Sequence, residues 1–125
     1  MSEQTRHVIV FESQPFWAPE LQRQFLDDDV HVRTCRSIND LQQRLAQQTY
    51  DVCIIDLSAD LPGVLRWLGD WQIRGSHTAI LVIAAEEQKS LEWHVRELGA
   101  SSFATEYVTG IQVAGMCRKQ WNKTS

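Results

Sequence analysis

The sequence predicts an α/β fold in which helices cover both faces of a five-stranded parallel sheet. Two runs, residues 50–56 and 79–85, are apolar almost throughout, as expected for strands buried on both faces. Strand and helix patterns also alternate five times along the 125 residues. Short connections between such units give right-handed crossovers, which place helices on both sides of one doubly wound sheet.

The first three strands are each predicted from a short apolar or alternating run. Residues 7–11 form the first strand, and the helix after it carries apolar residues at helical spacing: Trp17, Leu21 and Phe25. Residues 30–34 alternate as a half-covered strand does, and Ser37 is predicted to cap the second helix. The third strand ends at Asp56.

The second half repeats the pattern. The third helix has one apolar face, made by Val64, Trp67, Leu68 and Trp71. A fully buried fourth strand precedes a helix that is expected to stop at Gly99 and that points three apolar residues inward: Leu91, Val95 and Leu98. A weaker strand at 102–105 leads to a last amphipathic helix with an apolar face of Ile111, Ala114, Cys117 and Trp121.

Composition excludes several classes of function. The chain is expected to be one domain, residues 1–125, and its net charge of −4 provides no basic stripe for nucleic acid. No apolar run is long enough for a membrane span or a signal peptide, so we expect a cytoplasmic protein. The three scattered cysteines fit neither a zinc site nor a disulfide framework and are expected to be buried thiols: Cys35, Cys53 and Cys117.

Topology brings two acidic residues together. With strand order 2-1-3-4-5, the switch point falls between the carboxyl ends of the first and third strands, where open α/β sheets bind their ligands. Glu12 and Asp56 end those two strands. An isolated Asp in this place would usually cap a turn, but the second carboxylate makes a functional site the better interpretation.

At this point the sequence resembles the receiver domain of response regulators, the CheY-like members of the flavodoxin-like three-layer α/β sandwiches. Asp56, at the end of a buried strand, matches the phosphoacceptor position of that family. The passage Glu97-Leu-Gly-Ala-Ser-Ser-Phe103 is similar to the family's Glu-Ala-Gly-Ala-x-x-Tyr/Phe segment and puts Phe103 at the aromatic switch position. The resemblance implies a signalling module rather than an enzyme, which takes part in two-component phosphorelay signal transduction.

The departures from the family pattern indicate a degenerate pseudo-receiver. Receivers usually have two adjacent acids after the first strand, whereas this chain has only Glu12 there. Ala84 stands where the family has Thr or Ser, and a methyl group cannot donate a hydrogen bond to a phosphoryl oxygen. Glu106 replaces the family's Lys and reverses the sign of the interaction with that group.

Three carboxylates, Glu12, Asp56 and Glu106, are therefore expected at one sheet edge. Like charges there leave three outcomes open: one acid stays protonated, a basic side chain such as Arg66 reaches in, or a divalent ion larger than Mg²⁺ binds. The sequence implies no required cofactor. Glu12 and Asp56 are the candidate ligands for a weakly held Mg²⁺, and an acidic-site metal binder or enzyme is a further alternative.

One surface suggests a protein partner. Trp93 lies off the apolar stripe of its helix, and exposed tryptophans are favoured as interface anchors. Because receivers commonly use the fourth helix, fifth strand and fifth helix for output, the resemblance makes Trp93, Phe103 and Tyr107 the candidate partner-binding residues. The partner is expected to be a histidine kinase, an output domain or another receiver, including a homodimer through this face.

The sequence therefore predicts a receiver-like domain that acts by phosphorylation-independent protein–protein contact. The competing hypothesis is a working phosphoacceptor that is modified on Asp56 with Mg²⁺, because Asp56 itself is retained. Neither membrane nor nucleic acid is expected as a partner of this domain.

Overall fold

The chain alternates strand and helix as its hydrophobic pattern predicts. The structure is a computed structural model that describes residues 4–74 and 77–122. Its strands are β1 (Arg6–Phe11), β2 (Val30–Cys35), β3 (Val52–Asp56), β4 (Ala79–Ala84) and β5 (Ser102–Thr105). Its helices are α1 (Trp17–Gln24), α2 (Ile38–Gln47), α3 (Leu61–Arg74), α4 (Glu92–Glu97) and α5 (Gly110–Asn122). Two 3₁₀ segments, Leu57–Ala59 and Glu86–Leu91, follow β3 and β4.

The five strands form one parallel sheet in the order β2-β1-β3-β4-β5. Phe11, the last residue of β1, lies between Cys35 of β2 and Ile55 of β3, so the three strands end at almost the same level. Asp56 pairs with Ile83 one residue further on. The predicted fold class and strand order are confirmed, and the acidic residues that follow β1 and β3 meet at one edge.

Each face of the sheet has its own core, because successive strand residues point to opposite sides. Under α2, α3 and α4 the core includes Ile9, Phe11, Ile55, Leu41, Trp67, Leu68 and Val95. Under α1 and α5 it includes Val8, Val10, Ile54, Leu21, Val113, Cys117 and Trp121. Burial of side chains from every strand on one face or the other explains why the central strands are apolar throughout.

Capping residues set several helix ends. The Oγ of Ser37 accepts a hydrogen bond from the Asp40 amide at 3.0 Å, as predicted for a cap of α2. Gly99 adopts a φ of 114° after α4, and the Gly99 and Ala100 amides donate to the carbonyls of Arg96 and Val95. This pair of bonds is a Schellman motif, so the predicted stop at Gly99 is confirmed.

Two details of the predicted helices are wrong. Ile111 was expected on the buried face of α5 but is 71% exposed, because the face that packs on the sheet is centred on Val113, Ala114 and Cys117. The helical run through Leu91 is broken into the 3₁₀ segment Glu86–Leu91 and the short α4. Within the described ranges, no helix has the length and apolar content that crossing a membrane requires.

Candidate functional site

A cavity of about 400 Å³ opens at the carboxyl edge of the sheet. Loops after β1, β3, β4 and β5 line it, together with the first residue of α1, and their side chains include Glu12, Ser13, Asp56, Ser58, Ala84 and Glu106. The cavity thus brings together the three carboxylates that the sequence placed at this edge. None of the described residues that line it is Lys, Arg or His.

Glu12 performs a structural task that the sequence did not reveal. Its carboxyl group is buried, and its two oxygens accept hydrogen bonds from the Trp17 and Ala18 amides at 2.9 and 3.0 Å. These amides belong to the first turn of α1, whose N-cap residue, Phe16, has no acceptor in its side chain. Glu12 therefore supplies the cap and places a negative charge at the positive end of the helix dipole.

Asp56 lies half-buried at the end of β3 and lines the cavity. Its Oδ1 accepts a hydrogen bond from the Ser58 amide at 3.0 Å, which starts the 3₁₀ segment after the strand. Burial raises the pKa of Asp56 above its usual range, and the charges of Glu12 and Glu106 raise it further, whereas the bond from Ser58 opposes the shift.

Glu106 makes a backbone contact across the cavity rim. Its Oε1 accepts a hydrogen bond from the Glu86 amide at 3.0 Å, so the residue after β5 holds the beginning of the 3₁₀ segment that follows β4. Ala84 is buried beside it at the end of β4 and contributes only a methyl group to the cavity. Glu106 and Ala84, which both depart from the family pattern, thus contribute a carboxylate and an apolar surface to the cavity.

The donor set does not form a ready Mg²⁺ site. Mg²⁺ demands near-octahedral oxygen ligation, whereas both oxygens of Glu12 are engaged by α1 and the neighbouring position is Ser13. Among the described residues, no group of three His, Cys, Asp or Glu side chains is arranged to hold a metal ion. Arg66 is exposed on α3 and does not belong to the cavity lining.

A polar link between two loops was missed by sequence reasoning. The Oε1 of Gln88 accepts hydrogen bonds from the Ala85 amide at 2.9 Å and from the Ser58 hydroxyl at 3.1 Å. The spacing Ala85 to Gln88 fits a glutamine that caps its own segment, but nothing in the sequence indicates that the same oxygen reaches Ser58. The loop after β3 and the segment after β4 are therefore joined by side-chain contacts.

The candidate partner-binding residues differ in exposure. Trp93 and Tyr107 are 74% and 75% exposed, which confirms that Trp93 points away from the core. Phe103 is partly buried and packs against the core under α2, α3 and α4. The structure also exposes two apolar side chains that the sequence did not single out, Phe16 and Leu26, together with Ile111, which was expected to be buried.

Comparison with known proteins gave structural matches only. No family model and no curated protein sequence matches the chain. The receiver domain of the TMAO respiratory system response regulator TorR superposes with a TM-score of 0.84 at 16% identity, over 96% of this chain and 99% of that one. A response regulator from Thermotoga maritima has a TM-score of 0.83 at 14% identity, over 95% and 99%.

A third match is the beryllofluoride-activated receiver domain dimer of NtrC4, with a TM-score of 0.82 at 11% identity over 95% of this chain and 98% of that one. These matches extend over almost the full length of both partners. This chain has the fold of the receiver domains of response regulators.

Proposed function

We propose that this chain is a receiver-type signalling domain that acts through protein–protein contact and does not depend on a phosphoryl group. The observation that carries the proposal is the cavity lining, in which three carboxylates meet and no described residue is basic. The fold supports the signalling class by analogy with receiver domains, and the charge of the cavity lining is the reason for proposing independence from phosphate.

Electrostatics supports this independence. A phosphoryl group on Asp56 would add about two negative charges to a cavity that already contains Glu12 and Glu106. Two like charges 4 Å apart repel each other by about 4 kcal/mol at an effective dielectric constant of about 20. Ala84 offers no hydroxyl in compensation, so the phosphorylated state would be costly.

The partner is proposed to bind the surface that carries Trp93, Phe103 and Tyr107. The side chains of Trp93 and Tyr107 are largely exposed, and Phe103 is partly buried against the core. The NtrC4 receiver domain is described as a dimer, which supports a second copy of the chain as one partner. A histidine kinase or an output domain is the other class of partner that the fold suggests.

A second candidate function is phosphate acceptance by Asp56. It is favoured by the position of this residue, half-exposed in an open cavity at the end of β3. Under this alternative the repulsion from Glu12 and Glu106 would have to be offset by a cation. The acidic-site enzyme has less support, because both carboxylate oxygens of Glu12 and the Oε1 of Glu106 accept hydrogen bonds from backbone amides.

The deciding experiment is incubation with Mg²⁺ and a small phosphodonor, followed by intact mass, with beryllofluoride binding measured by tryptophan fluorescence in parallel. We expect no adduct of about 80 Da and no fluorescence change, because the cavity repels the anion. Asp56→Asn is the matched variant, and a phosphorylatable receiver treated in the same way shows that the donor is active. An adduct that Asp56→Asn abolishes would contradict the proposal and establish the acceptor function.

Partner binding is tested by the oligomeric state of Trp93→Ala. Removing a large exposed aromatic anchor is expected to weaken self-association at least tenfold in sedimentation equilibrium. Leu26→Ala is the matched control, because Leu26 is 79% exposed but follows α1 at the opposite edge of the sheet. Equal association of both variants and wild type would remove Trp93 from the interface.

A further inference from the structure

We propose that Gln88 is a positioning residue that ties the segment after β4 to the loop after β3, and so fixes the orientation of α4 and Trp93 with no ligand in the cavity. Ser58, Ala85 and Gln88 are called the Gln88 clamp. These contacts can hold α4 whatever the partner is, and the result of the phosphorylation assay does not decide whether they do.

The clamp uses one oxygen for two bonds. The Oε1 of Gln88 accepts from the Ala85 amide within its own segment and from the hydroxyl of Ser58, thirty residues earlier in the chain. Ser58 in turn donates its amide to Oδ1 of Asp56. A continuous series of hydrogen bonds therefore runs from the end of β3 to the end of β4.

A second contact holds the adjacent amide from the other side. The Oε1 of Glu106, after β5, accepts from the Glu86 amide at 3.0 Å. Two consecutive amides, those of Ala85 and Glu86, thus bond to acceptors that connect them to β3 and β5 respectively. Both acceptors belong to the protein, so no bound anion is needed to hold this segment.

The held segment leads directly into α4. The 3₁₀ segment Glu86–Leu91 continues into α4 at Glu92, whose backbone has helical dihedral angles of −52° and −48°. Gln88 lies in the 3₁₀ segment and Trp93 lies in the first turn of α4. A shift at the start of the segment is therefore passed to Trp93 through two adjoining helical segments with no loop between them.

The chain offers a matched control at the start of α5. The Oε1 of Gln112 accepts from the amide and the hydroxyl of Thr109, three residues earlier, in the same spacing as Gln88 and Ala85. Among the described residues, the hydrogen bonds of the Gln112 side chain are to Thr109 and do not reach a second loop. Replacing Gln112 removes a local cap alone, whereas replacing Gln88 removes a cap and an inter-loop bond.

The experiment compares Gln88→Ala, Ser58→Ala and Gln112→Ala in protein labelled with 5-fluorotryptophan, with the Trp93 resonance assigned from Trp93→Phe. Amide hydrogen exchange is followed by NMR at Ala85 and Glu86. We expect Gln88→Ala and Ser58→Ala each to speed exchange at Ala85 by about two- to tenfold, the effect of one net hydrogen bond, and to shift the Trp93 resonance. Gln112→Ala should change neither.

The Ser58 variant carries the decision, because it removes an exposed hydroxyl and leaves the cap by Gln88 in place. In the double variant of Ser58 and Gln88, the loss of Ser58 should have no added effect, since its acceptor is already missing. Ser58→Thr, which keeps the hydroxyl, should restore the wild-type exchange rate. If Ser58→Ala leaves both Ala85 exchange and the Trp93 resonance unchanged, Gln88 is only a local cap and the proposal is wrong.

Discussion

Glu12 lies at the acidic edge where receiver domains carry acidic residues, but its side chain caps helix α1. A buried carboxylate is costly unless hydrogen bonds compensate for its lost hydration, and the two amides of α1 provide that compensation. The same residue adds negative charge beside Asp56. Glu12 therefore caps α1 and, through its charge, contributes to the raised pKa of Asp56.

The first prediction concerns Glu12→Gln. A glutamine has one carbonyl oxygen, so its NH₂ group would face an amide donor of α1, and we expect a loss of about 1–3 kcal/mol in the free energy of unfolding. The measurement is the midpoint of urea unfolding. Glu87→Gln, on an exposed side chain, serves as the control and should change stability by at most about 0.5 kcal/mol. A stability gain in Glu12→Gln would mean that charge repulsion outweighs the cap.

The sequence predicted the positions of the site residues in the fold, but it did not predict their hydrogen-bond partners. Asp56, Ala84 and Glu106 reached the predicted edge because strand ends are set by topology. The bonds of Glu12 to α1 and of Gln88 to Ser58 depend on side-chain torsions and loop paths. Neither quantity is fixed by hydrophobic periodicity, so both contacts were missed.

At the scale of elements, the end of α4 depends on a single glycine. Gly99 has a φ of 114°, a conformation that costs residues with a Cβ atom free energy, and the two bonds of the Schellman motif depend on it. Because α4 is only six residues long, its packing rather than its intrinsic propensity must hold it. Loss of the Schellman motif would therefore destabilise α4, the helix that carries Trp93.

We accordingly predict that Gly99→Ala lowers the free energy of unfolding by about 1–2 kcal/mol. Gly115→Ala is a control of opposite sign: Gly115 lies within α5, and a Cβ atom there would meet nothing within 4 Å. That variant should stabilise the protein by about 0.5–1 kcal/mol, since alanine favours helix. Both are read from urea unfolding, and equal effects of the two substitutions would contradict the role of the positive φ.

The errors in the predicted elements have a common physical origin. The predicted face of α5 included Ile111 in place of Val113, because an exposed apolar residue at helical spacing cannot be distinguished from a buried one by sequence alone. The 3₁₀ segment before α4 was predicted as helix, since both forms bring residues three apart onto one side. The two central strands β3 and β4 were easier to predict, because their apolar runs are short, rich in β-branched residues and separated by helical patterns.

For the whole molecule, the ionisation of Asp56 links stability to pH. The pKa of Asp56 is raised in the folded protein by burial and by the charges of Glu12 and Glu106. Above the folded-state pKa the carboxylate is ionised in both folded and unfolded chains, so its burial opposes folding there. Below the unfolded value of 3.8 it is neutral in both states and this penalty disappears.

It follows that Asp56→Asn should be more stable than wild type at pH 7, with a difference that shrinks as the pH falls towards about 4. Asparagine keeps the acceptor for the Ser58 amide, so the substitution removes chiefly the charge. Urea unfolding at several pH values measures the effect, and Asp27→Asn at an exposed site controls for a general change of charge. A variant less stable than wild type at pH 7 would contradict the raised pKa.

The strand order has a consequence for how the chain folds. The register joins Val8 to Val52, and Val8 also pairs with Val32, so β1 forms a sheet only with strands that lie far along the chain. Such non-local pairing costs the entropy of loop closure before the buried contacts can stabilise the sheet. Proteins rich in non-local contacts therefore fold more slowly than proteins built from local contacts. During synthesis, β1 gains both of its neighbours once β3 has been made, whereas β3 must wait for β4 and β4 for β5. The strand that ends at Asp56 is therefore paired on both sides only after two thirds of the chain has been made.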